Sequence, residues 1–267
     1  MQDVDFEEVL EFARLGIRRA SLFMGFAVNM ANNPDVRDYD LSHQTKYRVL
    51  PETDDENVLA EYKHEFRTWV IANALREIHE SLIEYLEKVN QACLTFEWVV
   101  REKTSEDCDR FQKKFHNAGF QDKFHILRRQ FNVTTQHENG WLSVNAARNC
   151  LTHRRGVVGC DDVNEGGHLR LRWRALEIYF IPAGGAPVFN RDIPPSGLQM
   201  QGGALDSKYV DRSCSFEKGQ LVELSPLQLA EICAFADEAA VELANSAVEF
   251  ARNKGISISE RPVDSDG

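Results

Sequence analysis

Asn145, Arg148, Asn149, Thr152, His153, Arg154 and Arg155 fall in one run, Asn-Ala-Ala-Arg-Asn-Cys-Leu-Thr-His-Arg-Arg-Gly, that ends at Gly156. Trp141, Val144, Ala147 and Leu151 recur at spacings of three and four, so the run reads as the end of a helix that begins near Glu138 and buries that stripe. Asn145, Asn149 and His153 are each four apart and stack on another face. Arg148 can swing its long side chain toward them. Gly156 supplies the stop, and the charges of Arg154 and Arg155 suit a helix C-terminus. So many polar groups on one edge are costly to bury without a task. Two structural alternatives stand beside a chemical one. A histidine near a helix C-terminus can simply complement the helix dipole, and an Arg–Asn–His edge can pin the following loop by hydrogen bonds to its carbonyls.

Charge points to the same stretch. The 267-residue chain carries a net −11, yet residues 140–175 hold six arginines (148, 154, 155, 170, 172 and 174) against Asp161, Asp162 and Glu165. A basic island in an acidic body is what a local anion site looks like; a solvated Arg-rich surface is the plainer reading. Hydrophobic residues at 43% and charged residues at 27% are ordinary for a soluble protein. No apolar run approaches membrane-spanning length, and the N-terminus is acidic, which predicts a cytoplasmic protein without a membrane partner. The six cysteines are scattered with no Cys-x-x-Cys pair, so reduced, mostly buried thiols are expected and a metal site is not. No motif implies a cofactor.

The elements that must hold this edge are mostly helical. Residues 4–32 carry a helical stripe from Phe6 to Ala27 behind an acidic start. A pattern from about Asp55 to Val100, uninterrupted by Pro or Gly, predicts one very long helix. Thr104 opens a shorter helix to about Asn117, and Phe120–Phe131 forms another beyond Gly119. Ser225-Pro226, with Gln228 as capping partner, starts the last helix, which Arg252, Lys254 and Gly255 end. Between them, His168–Ile181 alternates: Leu169, Leu171 and Trp173 on one side, Arg170, Arg172 and Arg174 on the other. The apolar phase then shifts to Leu176, Ile178 and Phe180, which predicts a bulge near Ala175. Weaker strands are expected at Ala204–Val210 and Cys214–Phe216, with Gln220–Leu224 pairing across a turn at Lys218-Gly219, and a short strand at Lys46–Leu50. Trp69, Trp98, Trp141 and Trp173 fall in apolar stripes and read as core, while His64, His79, His116, His125 and His137 read as surface or cap residues. The expected class is mainly α: an antiparallel helical bundle with a small antiparallel β insert, at about 168–224, before the last helix. One domain over 1–255 and a flexible tail at 256–267 are expected.

Arg148, Asn149 and His153, with four residues between the Arg and the His, resemble the signature of the HEPN superfamily (higher eukaryotes and prokaryotes nucleotide-binding), in which an Arg and a His lie near the end of a bundle helix. The run Ala-Arg-Asn-Cys-Leu-Thr-His-Arg-Arg-Gly-Val-Val is similar to HEPN ribonucleases of bacterial toxin and phage-defence loci. The likeness in residues covers about 140–160. It implies a metal-independent endoribonuclease that works as a homodimer with two motifs facing across a composite cleft, acting on RNA and restrained by an antitoxin or other regulatory protein. It implies His153 as general acid or base, a role suited to a side chain with an unperturbed pKa of about 6.5. Arg148 would stabilise the phosphate with its planar fork, and Asn149 would orient phosphate or ring. Asn145 and Thr152 would assist, and Arg154 and Arg155 would contact the substrate. The residues themselves make the Arg170, Arg172 and Arg174 face either an RNA-backbone track or a row paired with Glu and Asp neighbours. The alternative within the same resemblance is a non-catalytic module that binds RNA, a nucleotide or a protein.

Overall fold

The computed structural model describes residues 4–39, 53–189, 192 and 202–257. Among these, six helices form: α1 (Phe6–Asn32), α2 (Glu56–Val99), α3 (Ser105–His116), α4 (Phe120–Phe131), α5 (Glu138–Arg154) and α6 (Pro226–Asn253). Three strands, β1 (His168–Pro182), β2 (Val188–Phe189) and β3 (Gly203–Glu217), form one antiparallel sheet in the order β2-β1-β3 before α6. The expected strand at Lys46–Leu50 and most of the tail lie outside the described residues.

The helices start where the sequence supplies acceptors for their orphan N–H groups. Asp5 accepts from Glu7 and Glu8, Asp55 from Asn57, and Thr104 and Asp107 cap each other reciprocally. Ser225 and Gln228 do the same around Pro226. Each such cap stabilises its helix by about 1 kcal/mol. α2 runs unbroken through 44 residues, about 66 Å at about 1.5 Å per residue.

α1 lies antiparallel to α2: Phe6 meets Phe96, Lys88 sits over Phe12, and Arg19 pairs with Glu77. Gly16 lets the two backbones close, since a Cβ there would overlap Ser81. α6 runs alongside, with Arg14 to Asp237 at 3.1 Å and the buried Tyr85 hydroxyl donating to the Ala240 carbonyl at 2.7 Å. A continuous set of buried apolar side chains joins these helices to α4, α5 and the inner face of β1. α5 is wedged between β1 and α6. A Cβ on Gly140 would overlap the Phe235 ring, and the Ser143 hydroxyl accepts the Arg172 N–H at 2.9 Å. That bond satisfies a β1 edge group that would otherwise be orphaned.

Three strand expectations are corrected. β1 pairs β3 residue by residue from His168↔Glu217 to Pro182↔Gly203, with no bulge at Ala175. The inward face continues through buried Ala175 and Glu177, leaving Leu176 and Ile178 exposed. The buried Glu177 carboxylate is held by Arg212 at 2.8 Å and Lys208 at 3.4 Å, so a charged side chain occupies what the apolar pattern assigned to Leu176 and Ile178. The two weak strands are one strand, β3. Gln220–Leu224 does not extend that hairpin. Instead Val158 donates to Gln220 and Val222 to Gly156, with a bridge between Val157 and Leu221, which anchors the end of α5 to the segment before α6.

No helix among the described residues is long and apolar enough to cross a membrane. All six cysteines are free; Cys93, Cys150 and Cys233 are buried and Cys160 is exposed.

Candidate functional site

The α5 helix ends one residue earlier than Gly156 alone would dictate. Arg155 takes the left-handed conformation (φ 53°) and Gly156 follows at φ 80°, the Gly156 N–H returning to the Cys150 carbonyl at 3.1 Å. The adjacent loop folds over this end. Arg154 makes a two-pronged ion pair with Asp162, whose buried carboxylate also accepts the Gly159 N–H at 2.7 Å. Burial opposes the charge on Asp162, but these donors outweigh it and hold its pKa below the usual carboxylate value. Arg154 therefore has a structural occupation.

The other motif residues divide around the helix. At about 100° per residue, Arg148 and His153 lie about 140° apart around the axis. Arg148 faces α2 instead of swinging toward the Asn149–His153 strip. Its guanidinium acts on His79, Glu80 and Arg76, three α2 side chains at one level of the rod. Arg148 is half-buried, and its Nε has no hydrogen-bond partner. Burial lowers its pKa; Glu80 opposes that effect and the like charge of Arg76 adds to it. The buried Asn145 Oδ1 is also unpartnered. Thr152 and Arg155 continue toward α2 and line a groove there, whereas His153 is exposed and Asn149 half-buried.

Beside Arg148, burial and the guanidinium together push the His79 imidazole down to about 4, so it is neutral at physiological pH. His79 is buried, its ring 4.5 Å from that of Phe120, which corrects its reading as a surface residue. His137 is likewise buried, at the N-cap position of α5, with Nε2 3.2 Å from Glu242. Two tryptophans depart from the core expectation: Trp69 is 66% and Trp98 54% exposed, while Trp141 and Trp173 are buried. His79, Arg76 and Trp69 are the site residues that the sequence did not single out. Their helical spacing to one another was visible, but their proximity to α5 is a tertiary fact.

The arginine strand does not join the cluster. Arg170 and Arg172 both pair with Glu165, at 3.1 and 2.5 Å, and Arg174 stacks over Tyr209 at 4.2 Å. These three occupy the outer face of β1, with their charges largely answered by neighbours.

The groove lies between the first half of α2 and the end of α5. It encloses about 890 Å³ and is lined by Tyr62, Phe66, Trp69, Arg76, Thr152 and Arg155 among others. Among the described residues, no three His, Cys, Asp or Glu side chains are grouped to hold a metal ion. No family model, curated protein or solved structure matches the chain.

Proposed function

We propose that the chain is an HEPN-type endoribonuclease, cleaving RNA by attack of a ribose 2′-OH on the adjacent phosphate and leaving a 2′,3′-cyclic phosphate. The observation that carries this reading is the state of Arg148: half-buried, lacking a partner at Nε, and beside a second guanidinium. Glu80 answers only part of this double positive charge, and a partly desolvated guanidinium is stabilised further when a second anion joins it. A phosphate diester supplies that charge and accepts from a planar fork. Arg148 then stabilises the charge that builds on the phosphorus oxygens in the transition state. His153, exposed on the last turn, exchanges the proton of the 2′-OH or of the leaving oxygen. Asn149 orients the ring or the phosphate, and Asn145 assists from the same helix, its unpartnered Oδ1 being buried.

Because Arg148 and His153 diverge around α5, the reading pairs the Arg148 of one copy with the His153 of a second across a shared cleft. The same divergence favours the second reading, a module that binds RNA, a nucleotide or a protein without cutting it. In the first reading the protein is a cytoplasmic toxin or phage-defence nuclease under the control of a regulatory protein. Purified protein is incubated with total RNA in EDTA beside His153→Ala and Arg148→Ala. Cleavage to cyclic-phosphate ends by wild type alone is the expected result. Equal absence of cleavage in all three, with RNA still bound, replaces the nuclease by the binding module.

A further inference from the structure

The groove between α2 and the end of α5 has two chemically different ends. Tyr62, Phe66, Trp69, Asn73 and Arg76 follow one another along one edge of α2 at spacings of four, three, four and three. The stripe therefore changes from aromatic to amide to guanidinium over about four turns. Trp69 is 66% exposed and Phe66 40%, although both sit in a concave wall. An exposed tryptophan presents a large apolar face to water at a cost in free energy, unless something stacks on it. At the other end stand Arg76, whose nearest carboxylate is Glu80 at 3.6 Å, and Arg155, which has no acidic partner among the described residues. Leu151, Thr152 and Leu221 close the opposite wall, and Glu65 is the one acid among the described lining residues.

We propose that this groove holds an unpaired base of single-stranded RNA stacked on Trp69, with the phosphate on its Arg148 side held between Arg76 and Arg155. The choice of RNA rests on the nuclease reading; the two-ended chemistry of the groove is independent of it. A π-face in one groove with two guanidinium groups suits a nucleotide, whose base is flat and whose phosphate is anionic. The volume, about 890 Å³, fits an extruded base and its ribose with room for a neighbour. A base inside a duplex is stacked on both sides and cannot reach an indole on a groove wall, so the site selects loops, bulges and free strands. Trp69 and Arg76 are two turns apart, about 10.5 Å along α2. The base therefore sits at the aromatic end and its phosphate at the Arg76 end, which makes the groove a specificity subsite.

The test uses His153→Ala protein, so that bound RNA stays whole, with octa-adenylate and octa-uridylate as probes. Tryptophan emission is compared with that of the same protein carrying Trp69→Phe, which isolates the Trp69 signal from Trp98, Trp141 and Trp173. The single strands are expected to quench Trp69, and a hairpin-closed duplex is not. Trp69→Ala weakens single-strand binding by roughly 5- to 100-fold, the effect of one lost stacked base, and Trp69→Phe restores most of it. Arg76→Ala with Arg155→Ala makes the salt dependence of binding shallower by about 1.4 in logarithmic slope. Unchanged affinity in Trp69→Ala, or equal binding of duplex, overturns the proposal. So does a Trp69 emission that shifts with protein concentration alone, because a second copy of the chain then covers the ring. Trp69-dependent binding without cleavage by wild type keeps the groove and removes the nuclease. Cleavage by wild type that Trp69→Ala leaves untouched does the reverse.

Discussion

Replacing Arg148 by Met separates a residue kept for binding from one kept for folding. Met retains the unbranched stem that packs between α5 and α2 and removes the guanidinium. An unsatisfied buried donor costs about 1–3 kcal/mol. Arg148 is only half-buried, so solvent screening reduces that to about 1 kcal/mol. Loss of attraction to Glu80 costs about 0.2–1 kcal/mol, and relief of repulsion from Arg76 offsets it. The variant is therefore expected to be as stable as wild type or about 1 kcal/mol more stable, a rise of roughly 2–4 °C in melting midpoint at most. Urea and thermal unfolding at pH 7 measure this. In a second arm, inorganic phosphate raises the wild-type midpoint and leaves the Arg148→Met midpoint unchanged, by ligand linkage. A loss of 2 kcal/mol or more in Arg148→Met, with no phosphate effect in wild type, shows that the guanidinium is a structural strut and refutes the anion-site reasoning.

Two further outcomes follow from the same packing. The folded-state pKa of His79 is depressed to about 4, against about 6.5 unfolded. Its contribution is thus fully present above pH 6.5 and is lost as pH falls toward 4, to a total of roughly 3 kcal/mol; His79→Gln flattens that part of the pH profile, read as the difference between urea midpoints at pH 7 and pH 4.5. Gly140→Ala drives a methyl group into the Phe235 ring and against the Arg172 carbonyl, and is expected to cost about 1–3 kcal/mol by differential scanning calorimetry; an unaltered midpoint there contradicts the tight wedge of α5 between α6 and β1.

The helices were legible because their signals are local. Asp5, Asp55, Thr104 and Ser225 announce four starts, and each caps the helix it precedes. The register of β1 was not, because Glu177 faces inward only by virtue of Arg212 and Lys208, partners more than thirty residues away. Periodicity counts Leu176 and Ile178 as core and has no means of seeing that ion pair. The motif was legible as a line of polar side chains on α5, but its companions were not. Arg76, His79 and Glu80 lie some seventy residues earlier, on a helix whose apolar residues wrap widely enough to hide which edge faces a groove. For the same reason Trp69 passed for core, although it is 66% exposed.

The unbroken length of α2 constrains how this protein can diverge. One rod carries both the stripe that seals the interior and the stripe that meets the groove. A single-residue insertion between Tyr62 and Glu80 would rotate everything beyond it by about 100°, exchanging the two stripes and unfolding the protein before any new preference could be selected. Deletions carry the same penalty. Variation in what the groove accepts is therefore confined to exchanging side chains at fixed positions, and the spacing from Tyr62 through Phe66, Trp69, Asn73 and Arg76 should outlast the identities of the residues that occupy it.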